Sequence, residues 1–276
     1  MTTERAQAVY HATKHLQFCD IAAIDIKDRL GLGTVAAGLR PLGVLEGDGV
    51  ELERIRDVLV DHGFHTLVSR SVWSCREGRL DDSCPSLRLL REVQAVPTKR
   101  ERVLWFCNNL ADRKSLKGRA LTKKDAGMLL GYPACCVNFQ VESDAKCDVA
   151  FLNAVIAKVG HDEQSILRAL KEDVGVDMPD DVFDFDNVAR TDTQFPFVMH
   201  VACSPCLDGL TPLSADLNAS HEGLAQTLDP ALHELILEVR KLCANLRMTD
   251  DGKVNSRVKN QIDQLHRTAY PLIRRK

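Results

Sequence analysis

No run of apolar residues in this chain approaches the roughly 18 that a membrane-spanning helix requires, and none of the common catalytic signatures is present. The P-loop, the H-E-x-x-H zinc helix and a Ser-His-Asp order are all missing, which argues against nucleoside triphosphatases and the common hydrolases. Internal repeats and low-complexity tracts are lacking too. Strong charge of one sign is absent: a net charge of −3 over 276 residues does not suit a dedicated nucleic-acid binder. The N-terminus, Met1 to Ala8 with Glu4 and Arg5, lacks the apolar core of a signal peptide. A cytoplasmic protein without a membrane partner is the expectation, with its oligomeric state left open.

What is present is ample apolar content, 45% of residues, and ten cysteines. In a reducing compartment, and in a chain long enough to fold without staples, cysteines in such number read as thiols or metal ligands rather than as a disulfide framework. They are grouped. Gly131-Tyr132-Pro133-Ala134-Cys135-Cys136-Val137 holds one pair, and His200-Val201-Ala202-Cys203-Ser204-Pro205-Cys206 holds a C-x-x-C. Neither pair alone supplies four ligands; together they do, so Cys135, Cys136, Cys203 and Cys206 are the candidate metal ligands. Cys147, Cys107 and His200 are possible further ligands. Cys19, Cys75 and Cys243 stand alone and read as structural.

Gly131 suits the end of one helix and Pro133 the first turn of the next, which places Cys135 and Cys136 at a helix N-terminus, where the dipole favours thiolate. Adjacent helical residues diverge by about 100°, so two adjacent thiols span an extended cluster more easily than one small ion. That favours an iron–sulfur cluster over zinc. Either cysteine of the pair could instead be a small buried hydrophobe. The C-x-x-C spacing is shared by thiol redox pairs, zinc sites and cluster ligands, and does not choose among them.

The rest of the chain reads as α/β, with a small parallel sheet in the N-terminal half and a mainly helical, cysteine-rich C-terminal half. Leu42 to Leu45, Phe64 to Val68 and Arg102 to Phe106 read as strands; Glu51 to Val60 and Ser86 to Val93 read as the helices between them. This β-α-β-α-β pattern implies parallel pairing, with ligands at the strand ends, where Cys107 would face the cysteine site. A domain of residues 1–112 with this core, followed by a helical metal-binding domain of 113–276, is the expected division.

In the second half, helices are expected at Thr122 to Leu130, Pro133 to about Ser143, Asp148 to Val159, Asp162 to Glu172, Ala215 to Leu228, Pro230 to Leu246 and Asn255 to Tyr270. A strand at Phe195 to Val201 would lead into the C-x-x-C. Gly31-Leu32-Gly33-Thr34-Val35-Ala36 has a dinucleotide spelling, but the polar Asp25 to Arg29 before it is no buried strand, so the segment reads as a loop. Glu172 to Asp192, rich in aspartate, reads as an exposed loop. Between Lys99 and Lys124 nine basic residues gather; in the bland reading they are a solvated face. Within that run, Arg119, Lys123 and Lys124 are candidates to orient an anionic substrate.

The residues Gly131-Tyr132-Pro133-Ala134-Cys135-Cys136-Val137-Asn138-Phe139, followed by Cys203-Ser204-Pro205, resemble a family of uncharacterised prokaryotic proteins with a G-Y-P-x-C-C-V-x-x-F signature. The resemblance spans about residues 120–235. It implies that the two cysteine groups share one site and supplies no reaction. The expectation is therefore a metalloenzyme with a thiolate-bound iron–sulfur centre acting on a small anionic molecule by redox or sulfur chemistry. Two alternatives stand beside it: a structural zinc site in a binding module, and metal-free thiol or persulfide chemistry.

Overall fold

The computed structural model describes residues 3–18, 22–47, 49–69, 102–109, 123–171, 185–247 and 256–270. Helices account for 72% of them, around one small antiparallel sheet. The N-terminal elements are α1 (Thr3–Thr13), α2 (Ala22–Ala36), β1 (Leu42–Gly47), α3 (Gly49–Asp61), β2 (His65–Ser69) and β3 (Arg102–Cys107). The C-terminal elements are α4 (Lys123–Leu129), α5 (Ala134–Val159), α6 (Glu163–Lys171), α7 (Phe185–Gln194), α8 (Ser204–Leu207), α9 (Leu213–Leu228), α10 (Pro230–Arg247) and α11 (Ser256–Ala269). No helix among the described residues is long and apolar enough to cross a membrane.

The expected parallel sheet is not formed. The strand order is β1-β3-β2, and β3 runs antiparallel to both neighbours, with Leu42 opposite Cys107 and His65 opposite the same residue. The two outer strands therefore share a direction and the crossover through α3 passes over β3. A strand–helix–strand pattern gives the order of elements along the chain but not the direction in which a later strand inserts. The helix expected at Ser86 to Val93 lies outside the described residues.

β3 is buried on both faces, and its alternation sorts two cores. Leu104 and Phe106 join Leu45 and the residues of α1, α2 and α3 in the large core, which also takes in α9, α10 and α11. Val103, Trp105 and Cys107 turn the other way, to Leu42 and to Ala126 and Leu130. Opposite Phe106, at the paired position on β1, stands Gly43, and a methyl there would run into the buried Phe106 ring. Gly43→Ala is accordingly expected to destabilise by about 1–3 kcal/mol through overpacking, reduced by the lower chain entropy of alanine. A urea-denaturation midpoint equal to or above that of the parent protein would refute this.

Helix α2 is the hub, packing on α1, α9, α10 and α11. The segment read as a loop at Gly31 to Ala36 is its C-terminal half, fully buried. Its glycines serve packing: a methyl on Gly33 would meet the Leu228 side chain. The polar look of Asp25 to Arg29 misled because Asp25 and Arg29, four residues apart on one face, form a buried ion pair at 2.6 Å.

Three further expectations give way. The helices placed at Pro133 to Ser143 and Asp148 to Val159 are one continuous helix, α5. Part of the aspartate-rich segment is helix α7, with Asn187, Thr191 and Asp192 buried. The strand expected at Phe195 to Val201 is irregular chain. Side chains rather than a neighbouring strand satisfy its backbone: Arg240 Nε donates to the Pro196 carbonyl at 2.9 Å, and the Phe197 N–H donates to Asn218 Oδ1 at 2.9 Å.

Candidate metal centre

The site begins at the turn between α4 and α5. Gly131, at φ +77°, is the left-handed residue of a Schellman cap, with its N–H bonded to the Met128 carbonyl and the Tyr132 N–H bonded to the Gly127 carbonyl. Only glycine takes that φ cheaply. Pro133 is the N-cap of α5, so Cys135 and Cys136 fall at the second and third helical positions, where backbone N–H groups have no helical partner and the dipole is positive.

The C-x-x-C arrives on the irregular segment. Thr191 of α7 fixes its approach by accepting the Ala202 N–H at 2.9 Å. Cys203 then caps the single turn α8, its carbonyl accepting the N–H of Cys206 at 2.9 Å. The turn folds both thiols back toward α5.

The four sulfur atoms lie within 4.8 Å of one another. Cys136 Sγ is 3.6 Å from Cys203 Sγ and 3.7 Å from Cys206 Sγ; Cys135 Sγ is 3.7 Å from Cys206 Sγ and 3.9 Å from Cys136 Sγ. These separations exclude disulfide bonds, which need about 2.05 Å. They match the edge of a tetrahedron with 2.3 Å metal–sulfur bonds, about 3.8 Å. Cys136, Cys203 and Cys206 are buried and Cys135 is half-buried. The donor set, four soft thiolates at tetrahedral spacing, fits a metal ion.

The sulfurs are hydrogen-bonded by a layer that the cysteine pattern did not reveal. Thr211 Oγ1 lies 3.0 Å from Cys206 Sγ, Ser214 Oγ lies 3.4 Å from Cys136 Sγ, and the Cys203 N–H donates to Cys136 Sγ at 3.4 Å. Such contacts favour thiolate. Burial pushes the Cys136 thiol up, against the pull of the Ser214 and Cys203 N–H bonds, and pushes Cys203 up to about 11. Burial would raise Cys206 as well, but hydrogen bonds from Ser214, Thr211, Cys136 and Cys203 outweigh it and lower Cys206 to about 7.

Ser214 also bridges to His200 Nε2 at 3.1 Å. Desolvation first, and then the nearby Arg40 charge, lower His200 to about 3, so the ring is neutral. His200 therefore touches the centre through a hydroxyl and is not one of its four sulfur donors. Cys107, expected to face the site, is buried against α4, its thiol donating to the Asn109 carbonyl at 3.2 Å. Cys147 sits farther along α5, half-buried and outside the group of four. Of the basic candidates, Arg119 lies outside the described residues, Lys123 opens α4, and Lys124 is exposed.

A cavity of about 400 Å³ adjoins the centre, lined by Cys136, His200, Tyr132, Met199 and the aliphatic side chains of Val44, Leu130 and Val137. A second, of about 120 Å³, shares Val44, Tyr132 and Met199 with the first and has Arg40, Lys27 and Asp28 in its wall. No family model, no curated protein and no solved structure matches this chain, and its functional reading therefore rests on its own side chains.

Proposed function

We propose that Cys135, Cys136, Cys203 and Cys206 hold a single tetrahedral zinc ion, and that this ion staples α5 to the turn at α8 in a binding module. The observation that carries the reading is the sulfur spacing, 3.6 to 3.9 Å in four of the six pairs and within 4.8 Å in all. Thiolates around a four-iron cluster are kept apart by an iron–iron edge as well as by two ligand bonds, and would stand farther from one another. Four protein sulfurs complete the sphere of a tetrahedral ion and leave no position for substrate, so the metal takes a structural part in place of the redox or sulfur-handling step expected from sequence.

Elemental analysis of protein made without oxygen tests this directly. One zinc per chain, no acid-labile sulfide and no colour are expected, and cobalt in its place should give the intense visible bands of a tetrahedral thiolate complex. Brown protein with labile sulfide would restore the iron–sulfur reading. One iron without sulfide would keep the geometry and replace the metal. Metal-free protein of unchanged stability would leave thiol chemistry.

A further inference from the structure

Arg40 is 4% exposed, and among the described residues no carboxylate pairs with it. Its Nε donates to the Leu130 carbonyl at 2.7 Å, one Nη to Tyr132 Oη at 3.4 Å, and the other to the thioether of Met199 at 2.8 Å. A thioether is a weak acceptor, and a guanidinium carries more N–H donors than these three contacts use. Proteins seldom bury a cation in this state, because desolvation is costly unless an anion compensates it. The uncompensated charge reaches its surroundings: after desolvation, it is a further cause lowering both His200 and His221.

Arg40 stands in the wall of the smaller cavity, and the chain leaves room there. Gly31, on α2, faces Met199 and Arg40, and a methyl at that position would approach the Met199 sulfur to 3.2 Å. Lys27 and Asp28 on the same wall already have partners of their own. The smaller cavity shares Val44, Tyr132 and Met199 with the larger one, whose volume is in the range of small-molecule sites. There the walls are mostly apolar; the polar exceptions are Cys136, Gln140 and Asp144, the last two hydrogen-bonded to one another at 2.8 Å, and His200, whose Nδ1 is buried without a hydrogen-bond partner among the described residues.

We propose that the two adjacent cavities open into one binding site for a small carboxylate with an apolar body, its carboxylate on the Arg40 guanidinium and its body along Val44, Leu130 and Val137 toward His200. The planar fork of Arg40 matches a carboxylate. A phosphate dianion would call for a further cation, and Lys27, the other cation on these walls, already has a partner of its own. The site meets the sulfur group only at Cys136, in the wall of the larger cavity, and its Arg40 end does not depend on which metal the sulfurs hold.

Isothermal titration of the full chain as purified, with hexanoate, hexanol and inorganic phosphate as probes, tests the inference. Hexanoate should bind saturably, at least tenfold more tightly than hexanol or phosphate. Arg40→Met should weaken hexanoate at least tenfold with metal content unchanged, whereas Lys124→Met, in the basic run, should leave it as it was. Should Arg40→Met fail to fold, Val44→Phe, which fills the passage and leaves the charge in place, should abolish binding. Hexanol equal to hexanoate, phosphate tighter than hexanoate, no binding of hexanoate at all, or full binding in Val44→Phe would each overturn the proposal.

Discussion

Cys136→Ser is expected to lose the bound metal and, with it, about 4 kcal/mol of stability, the linkage contribution when free zinc stands near 1,000 times its dissociation constant. Cys136 is the most enclosed of the four proposed ligands: its sulfur touches those of Cys135, Cys203 and Cys206, accepts the Cys203 N–H, and meets the Ser214 hydroxyl. A serine oxygen is a shorter and harder donor and cannot restore a soft tetrahedral site. Because binding free energy is folding free energy where the apo site is not preformed, chelation of the parent protein should lower its thermal midpoint as the substitution does. Cys147→Ala, on the same helix, should keep one metal per chain and a midpoint near that of the parent. If Cys136→Ser retains stoichiometric metal, or if chelation leaves the midpoint in place, the four sulfurs are not the ligands or the metal does not stabilise the fold.

The grouping of Cys135, Cys136, Cys203 and Cys206 was legible because few side chains share their chemistry, and a pair at each place left both short of four ligands. The argument from adjacency was not reliable. Cys135 and Cys136 diverge around the axis of α5, yet their sulfurs stand 3.9 Å apart. Side chains in a first turn lean toward the N-terminus and reach past the end of the helix, where angular separation no longer keeps them from a common point. Nothing in the sequence singled out Arg40. A cation directly ahead of an apolar strand was the only sign available, and burial without a carboxylate became visible only once α2, β1 and Met199 closed around it.

Elsewhere, periodicity identified the helices with one apolar stripe, such as α3 and α9, and failed where polar pairs are core. The sheet direction had no local signal, since Leu42 to Leu45 and Arg102 to Phe106 are apolar runs that suit either pairing. The failure at α2 has the same root as the second large effect expected in this protein. Asp25 counted against a buried strand because nothing in its neighbourhood in sequence announces that it will be surrounded.

Arg29→Ala should destabilise by about 3–5 kcal/mol, the range for removing one partner of a buried ion pair. Asp25, fully buried, accepts from Arg29 Nε at 2.6 Å and from the Phe18 N–H at 2.7 Å, and lies 2.9 Å from His266 Nε2. Arg29 also donates to the Leu16 carbonyl at 2.6 Å and stacks 4.0 Å over the Tyr270 ring, so the pair ties α2 to the turn after α1 and to the end of α11. Replacing both charges with leucine would usually recover such a loss. Here it should not, because the Leu16 carbonyl and the Phe18 N–H would be left buried without partners. Burial would raise Asp25, but the His266 hydrogen bond, the Arg29 charge and the Phe18 N–H outweigh it and hold the carboxyl below the usual value of 3.8. A depressed carboxylate stabilises the fold fully above its unfolded pKa, and that stability is lost as the pH falls through the lower folded value. Denaturation measured from pH 7 down to pH 3 should therefore show an acid loss beginning near pH 4 that is smaller in Asp25→Asn; an unchanged acid limb, or a double leucine variant as stable as the parent, would remove the pair from the account.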